Sequence, residues 1–399
     1  MASAPATPSA RVTSIDAYRG FVMLLMAGEV LRFGHVAKNL PGNSFWAFLD
    51  QQQSHVDWRG CVLHDLIQPS FSFLVGVALP WSLASRQGRG DGFGKMLGHT
   101  VIRSLVLILM GVFLRSTHAS QTNWTFEDTL SQIGLGYTFL WLLGWLKPTG
   151  QGLAWAGLLL GYWLLFALTP VPGPDFDLAA NGITPDFHRD HWLSGFAAHW
   201  NKNANPAHYF DQVWLNLFSR SKPWLYNGGG YVTLSFVPTL GTMLLGLLAG
   251  GWLRRTDWSG SRKVGQLAIA GLAGLGLGLA LDAAGVCPVV KRIWTPSWVL
   301  FSGGWCCLFL AAFYGACDVL VRRAWAFPLV VVGANSIFMY FIAHLWDEFF
   351  FRNLKTHLGP DFWPNLAGPY APMVEGLAVL GLMWLCCAWL WRRRIFIRV

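Results

Sequence analysis

Charge is what this chain has least of. Only 12% of its 399 residues are Asp, Glu, Lys or Arg, against about 25% in an ordinary soluble domain. A water-exposed globule is therefore excluded. Metal-ligand spacing is also missing from the seven cysteines, Cys61, Cys287, Cys306, Cys307, Cys317, Cys386 and Cys387. Most lie inside apolar runs, where cysteine acts as a small hydrophobe, so neither a disulfide framework nor a metal is expected. No basic run is interleaved with aromatics, which argues against nucleic acid as a partner despite the formal net charge of +9. The first fifteen residues hold no signal-peptide core and no cleavage pattern follows. The first apolar run would itself direct insertion.

What is abundant is apolar: 54% of the residues are hydrophobic, with 23 Trp and 28 Phe. A helix needs about 20 apolar residues to cross the hydrocarbon core of a bilayer. Ten segments qualify, near 17–35, 61–84, 99–115, 129–146, 151–170, 230–253, 264–285, 297–320, 327–346 and 371–391. The pattern predicts an all-α, polytopic membrane bundle of about ten helices, a single domain over residues 1–399 with an outer loop region at about 171–229. Arg11, Arg86, Arg89, Lys95, Lys147, Arg254, Arg255, Arg262, Lys263, Arg322, Arg323, Arg392, Arg393, Arg394 and Arg398 all fall on one side of ten crossings. The positive-inside rule makes that side, and both termini, cytoplasmic. The other side is not bare of charge: Arg32, Lys38, Arg59, Lys291 and Arg292 are among those there, a hint that something anionic is met.

Within the outer loop, His208 to Leu215 reads as a short amphipathic helix at the membrane surface. Gly274-x-Gly276-x-Gly278 in the seventh segment suits close helix packing. Asn227-Gly228-Gly229-Gly230, at the entrance of the sixth, suits either a flexible turn or a backbone close to a ligand.

The stretch Gln53 to Leu79 concentrates the polar chemistry. His55, Asp57, Arg59, His64 and Asp65 sit at the mouth of the second span, where ionisable groups are costly and mark candidate sites. His55, Asp57 and Arg59 read equally well as a wet loop. Asp65, inside the apolar segment, needs a partner. His64 is rotated about 100° from Asp65 on an α-helix, which places it outside a site built around Asp65.

Five pieces in order carry a family resemblance. Ser14-Ile15-Asp16-Ala17-Tyr18-Arg19-Gly20-Phe21 opens the first span. His55-x-x-Trp58-x-Gly60 with Asp65-Leu66-Ile67-Gln68-Pro69-Ser70-Phe71 opens the second. Asn227 to Tyr231 with Leu245 to Gly250, then Lys291-Arg292-Ile293-Trp294-Thr295-Pro296-Ser297, then Gly333 to Ile337 with Tyr340 and His344, follow. Together they resemble the heparan-α-glucosaminide N-acetyltransferase family of transmembrane acyltransferases. The chain looks closest to the short bacterial members associated with N-acetylglucosamine utilisation, lacking the lumenal N-terminal domain of the animal enzyme. The resemblance implies a bacterial cytoplasmic-membrane enzyme, possible as a homodimer, that moves acetyl from cytosolic acetyl-CoA to a glucosamine-type amino sugar or glycan on the outer face.

In that setting His55 is the expected general base or transient acetyl carrier, since its ordinary pKa of about 6.5 suits proton transfer near neutrality. Asp65 is expected to orient it. The family's assisting Asn falls at Val30 by direct count, with Glu29 beside it as the candidate helper. Lys291, Arg292, Trp294, Asn335, His344 and Arg19 are candidates for holding acetyl-CoA. Asp57, Trp58, Asn227 and Gly228 are candidates for the acceptor. A membrane permease for N-acetylglucosamine or a related sugar is the alternative, since polar intramembrane residues and an aromatic outer face serve uptake too, although no internal repeat of the transporter kind is evident.

Overall fold

Backbone N–H and C=O groups find no water in a bilayer, so apolar runs of this length must satisfy them internally as helices. The computed structural model describes residues 12–397 and is helical throughout, with one isolated bridge, Arg59 to Val290, as its only β pairing among them. Arg11 and Arg398, used above to orient the chain, lie outside the described residues.

The membrane helices are α1 (Thr13–Ala27), α2 (Ile67–Gly88), α3 (Phe93–Ser116), α4 (Thr129–Leu143), α5 (Pro148–Ala167), α6 (Phe236–Arg254), α7 (Gly260–Ala283), α8 (Pro296–Tyr314), α9 (Phe327–Ala334), α10 (Ser336–Leu345) and α11 (Ala371–Arg392). With their continuations, eight helices among the described residues are long and apolar enough to cross a membrane. α9 and α10 reach that length only as a pair, bent by 70° at Asn335, which makes nine spans if the pair counts as one. α4, the fourth expected crossing, has only 15 residues, about 22 Å at 1.5 Å per residue. It is too short to be a lipid-facing span, but it need not be one. Its start lies beside the Arg115–Glu127 ion pair at the end of α3, and Trp141 packs on Phe93 at the other end. α4 thus runs antiparallel along α3 with much of its length buried.

Small residues let the backbones meet. A Cβ at Gly274 of α7 would lie 2.7 Å from the Leu300 carbonyl of α8, so the glycine run does serve close packing. Gly246 of α6 touches the Phe73 carbonyl of α2 in the same way.

The expected outer helix is present as Pro206–Trp214, with Asn205 accepting from Ala207 N and His208 N as its N-cap. It packs inward, burying Ala207, His208 and Asp211. Burial pushes the His208 imidazole down to about 4 and the Asp211 carboxyl up to about 6. The loop region is therefore a packed cap over one end of the bundle. Its Trp200 shares an apolar cluster with Trp58, from the segment before α2, and Phe166 of α5.

Candidate active site

Two connections build the site. The segment before α2 is extended at Val62, then turns through a 3-10 step, Leu63–Leu66. The α7–α8 connection folds against it. Arg59 makes a two-pronged ion pair with Asp282 (2.8 and 2.9 Å), Gly60 N donates to Val289 O (3.0 Å), and Arg292 donates to Val56 O (3.1 Å) and Gly229 O (2.7 Å). Locked this way, the connection delivers Lys291 to His55 and Asp65.

Asp65 is fully buried. Its Oδ1 lies 2.7 Å from His55 Nδ1 and 3.0 Å from Lys291 Nζ, and its Oδ2 accepts from Val62 N at 3.2 Å. Lys291 Nζ also stands 3.2 Å from His55 Nδ1, but that nitrogen cannot both donate to Asp65 and accept from lysine. The shorter, charge-assisted bond assigns the Nδ1 proton toward Asp65. Nε2 is then the imidazole's acceptor nitrogen. The bond to Asp65 pulls the His55 pKa up, but partial burial and the Lys291 ammonium push it down by more, and it settles below its ordinary value. A neutral imidazole with a fixed tautomer is what a general base requires.

His64 changes the picture drawn from helical rotation. Because Leu63–Leu66 is a 3-10 step and the His55 loop folds back over it, the two imidazole rings lie 4.9 Å apart. His64 Nε2 pairs with Glu29 Oε1 at 2.7 Å. Glu29 stands in a 3-10 turn, Gly28–Leu31, that follows α1, with Gln53 Nε2 bonded to the Gly28 carbonyl. His55, His64 and Glu29, with Lys291, Tyr231, Arg115, Glu127, Asp128, Tyr340 and His344, line a cavity of about 340 Å³.

A second cavity, about 490 Å³, continues toward the other end of the bundle between α1, α2, α3, α4 and the α9–α10 break. It holds Asp16, Arg19, Arg103 and Tyr137 among apolar side chains, and it shares Phe71, Thr129 and Tyr340 with the first. Arg103 donates to the Tyr137 hydroxyl (3.0 Å), while its buried Nε has no partner.

The remaining candidates are dispersed. Lys291 is buried against Asp65 rather than held out for phosphates. Arg292 is spent on backbone carbonyls and the Tyr231 ring. Trp294 is core, donating to Thr242 Oγ1 at 3.1 Å. Asn335 is buried and holds the C-terminal tail through Ile395 O (3.0 Å) and Ile397 N (2.9 Å), beside the second cavity, which Arg19 lines. His344 lines the first cavity and stacks on Tyr340 with ring centres 4.2 Å apart. Trp58 is buried, donating to Trp200 O, and Asp57 is exposed near His191. Asn227 caps its own glycine turn, its Oδ1 accepting from Gly229 N and Tyr231 N; Gly228 is one residue of that turn. In the sequence Arg103 stands out only as a charge within the third apolar segment, with no role given, and Glu127 and Asp128 went unnoticed. Adjacent acids before an apolar run were the available signal for the last two.

No family model matches the chain. It is similar to heparan-alpha-glucosaminide N-acetyltransferase of Homo sapiens, 26% identical over 381 residues, and to that of Mus musculus, 24% identical over 373, covering in each case 85% of this chain and 54% of the relative. The chain spans about half the length of these curated relatives. With a polytopic helical bundle underneath, these similarities make the chain a homologue of the heparan-α-glucosaminide N-acetyltransferases.

Proposed function

We propose that this chain is an integral-membrane N-acetyltransferase, taking acetyl from acetyl-CoA on the cytoplasmic side and passing it to a glucosamine-type amino group on the outer side. The observation that carries the reading is the Asp65–His55 pair, braced by Lys291, at the wall of one cavity that meets a second across Phe71, Thr129 and Tyr340. An enzyme joining a donor and an acceptor from opposite faces needs two such communicating chambers, with its base in the one the acceptor enters.

Asp65 holds the His55 tautomer, and Nε2 takes the proton from the attacking amine. Lys291 keeps the imidazole unprotonated in the resting state and offsets the buried carboxylate. The second cavity suits the donor. Its apolar lining fits a pantetheine-like arm, and Arg103, with an unpartnered buried Nε, supplies a cation. Acetyl-CoA brings the activated thioester. Direct transfer in a ternary complex asks less of the fold than acetylation of His55, and the neutral Nε2 serves it without a covalent step.

The broken span at Asn335 favours a second reading, a sugar permease, because discontinuous helices mark many transporters. One experiment separates the two. Purified protein receives labelled acetyl-CoA and glucosamine beside a His55→Ala variant. Acetyl transfer that the substitution abolishes is the expected result. No transfer by the intact chain, together with N-acetylglucosamine flux in proteoliposomes, contradicts it.

A further inference from the structure

The Asp65–His55 pair leaves a second imidazole–carboxylate pair in the same cavity without a task. Glu29 Oε1 lies 2.7 Å from His64 Nε2, and the His64 ring lies 4.9 Å from that of His55. His64 is buried and lines the cavity, and its other ring nitrogen has no protein partner among the described residues. The Glu29 carboxylate fixes the orientation of the His64 ring through Nε2, leaving its second nitrogen available as a proton donor to a ligand in the cavity. One cavity therefore presents two histidines in contact with opposite equipment. His55 is braced by a carboxylate already neutralised by Lys291, while His64 is paired with a carboxylate that carries no lysine or arginine partner among the described residues.

Acyl transfer from a thioester needs both roles. When the amine nitrogen bonds to the acetyl carbonyl carbon, the amine must lose a proton. When the carbon–sulfur bond breaks, the sulfur leaves with the electron pair and must gain one, since an aliphatic thiol ionises only near the cysteine value of about 8.5. We propose that His64, positioned by Glu29, is the acid that protonates the departing sulfur while His55 takes the amine proton. This rests on the acetyltransferase reading given above. The protons balance: His55 ends charged, His64 ends neutral, and one proton moving between the touching rings, directly or through a water, restores both. No other reactant is consumed.

The test uses two acetyl donors with the full-length protein. Acetyl-CoA releases an aliphatic thiolate that needs a proton; the acetyl thioester of 4-nitrothiophenol releases one that does not. His64→Gln is expected to lower kcat with acetyl-CoA by about 10²-fold or more, the usual worth of a general acid, and to change transfer from the aryl thioester by only a few-fold. His55→Gln should lose both. Glu29→Gln should show the same donor-selective loss as His64→Gln, with a smaller size, and it decides the matter if thermal unfolding shows His64→Gln to be misfolded. An equal loss with both donors, or no loss with either, overturns the proposal and makes His64 structural. Failure of the unaltered chain to transfer acetyl from either donor would instead sink the acetyltransferase reading, and this assignment with it.

Discussion

At the scale of single residues, Lys291 is the group whose role the structure alters most. In the sequence it reads as a phosphate-binding cation. In the structure it is buried 3.0 Å from Asp65. Its charge helps hold the His55 pKa below the ordinary value, so on the proposed function the base stays neutral to lower pH. Lys291→Met removes that push and leaves Asp65 paired with His55 alone. The His55 pKa then rises, and the acidic limb of the kcat/KM profile against pH shifts upward; an unmoved limb would show that Lys291 does not act on His55. Asp65→Asn has a different signature. It frees the imidazole tautomer, lowering kcat by about 10²–10⁴. It also strands a buried ammonium, costing about 3–5 kcal/mol of stability, which thermal unfolding in detergent would register. Asp65 drew notice in the sequence because an acid inside an apolar run needs a partner, and the family resemblance, not proximity, singled out His55 ten residues before it. His64 was not, because rotation on an α-helix says nothing of a 3-10 step beneath a folded-back loop.

At the scale of elements, the break between α9 and α10 was partly legible. Asn335 and His344 are nine residues apart, a spacing that faces opposite sides of a straight helix, so any shared role demanded a bend. The 70° bend exists, but it separates them. Asn335 holds the tail, and His344 lines the first cavity. Asn335→Ala removes two hydrogen bonds to the tail backbone and should cost about 1–3 kcal/mol, seen as a lower unfolding midpoint in detergent; no change would mean the tail is held by other contacts. α4 misled the count for a related reason. Hydropathy measures apolar length, and a helix sheltered by its neighbours can be shorter than the bilayer.

At the scale of the whole molecule, alternate chain connections gather at one end. The turn after α1, the mouth of α2, the α3–α4 connection, Tyr231 before α6, the α7–α8 connection and the end of α10 all contribute to one cavity. That convergence is what a chain running back and forth along the bundle produces, since every second connection returns to the same end. The second cavity was not legible in the sequence, because it is lined by residues from the interiors of several helices, which only tertiary packing assembles. If the cavity end is the outer one, a cysteine at exposed Asp57 is labelled in intact cells by a membrane-impermeant maleimide, and one at exposed Asp257 only after permeabilisation. Labelling of both from the same side would refute the topology.

The proposed acetyl transfer runs from a donor in the second cavity to an acceptor at His55 in the first. Its most direct test is side-resolved transfer. Proteoliposomes of known orientation would hold labelled acetyl-CoA at the cytoplasmic face, with glucosamine supplied only at the face bearing His55. Labelled N-acetylglucosamine should accumulate at the His55 face with the intact chain and not with His55→Ala. Product that forms equally in the His55→Ala variant, or only when both substrates share one face, would contradict the account.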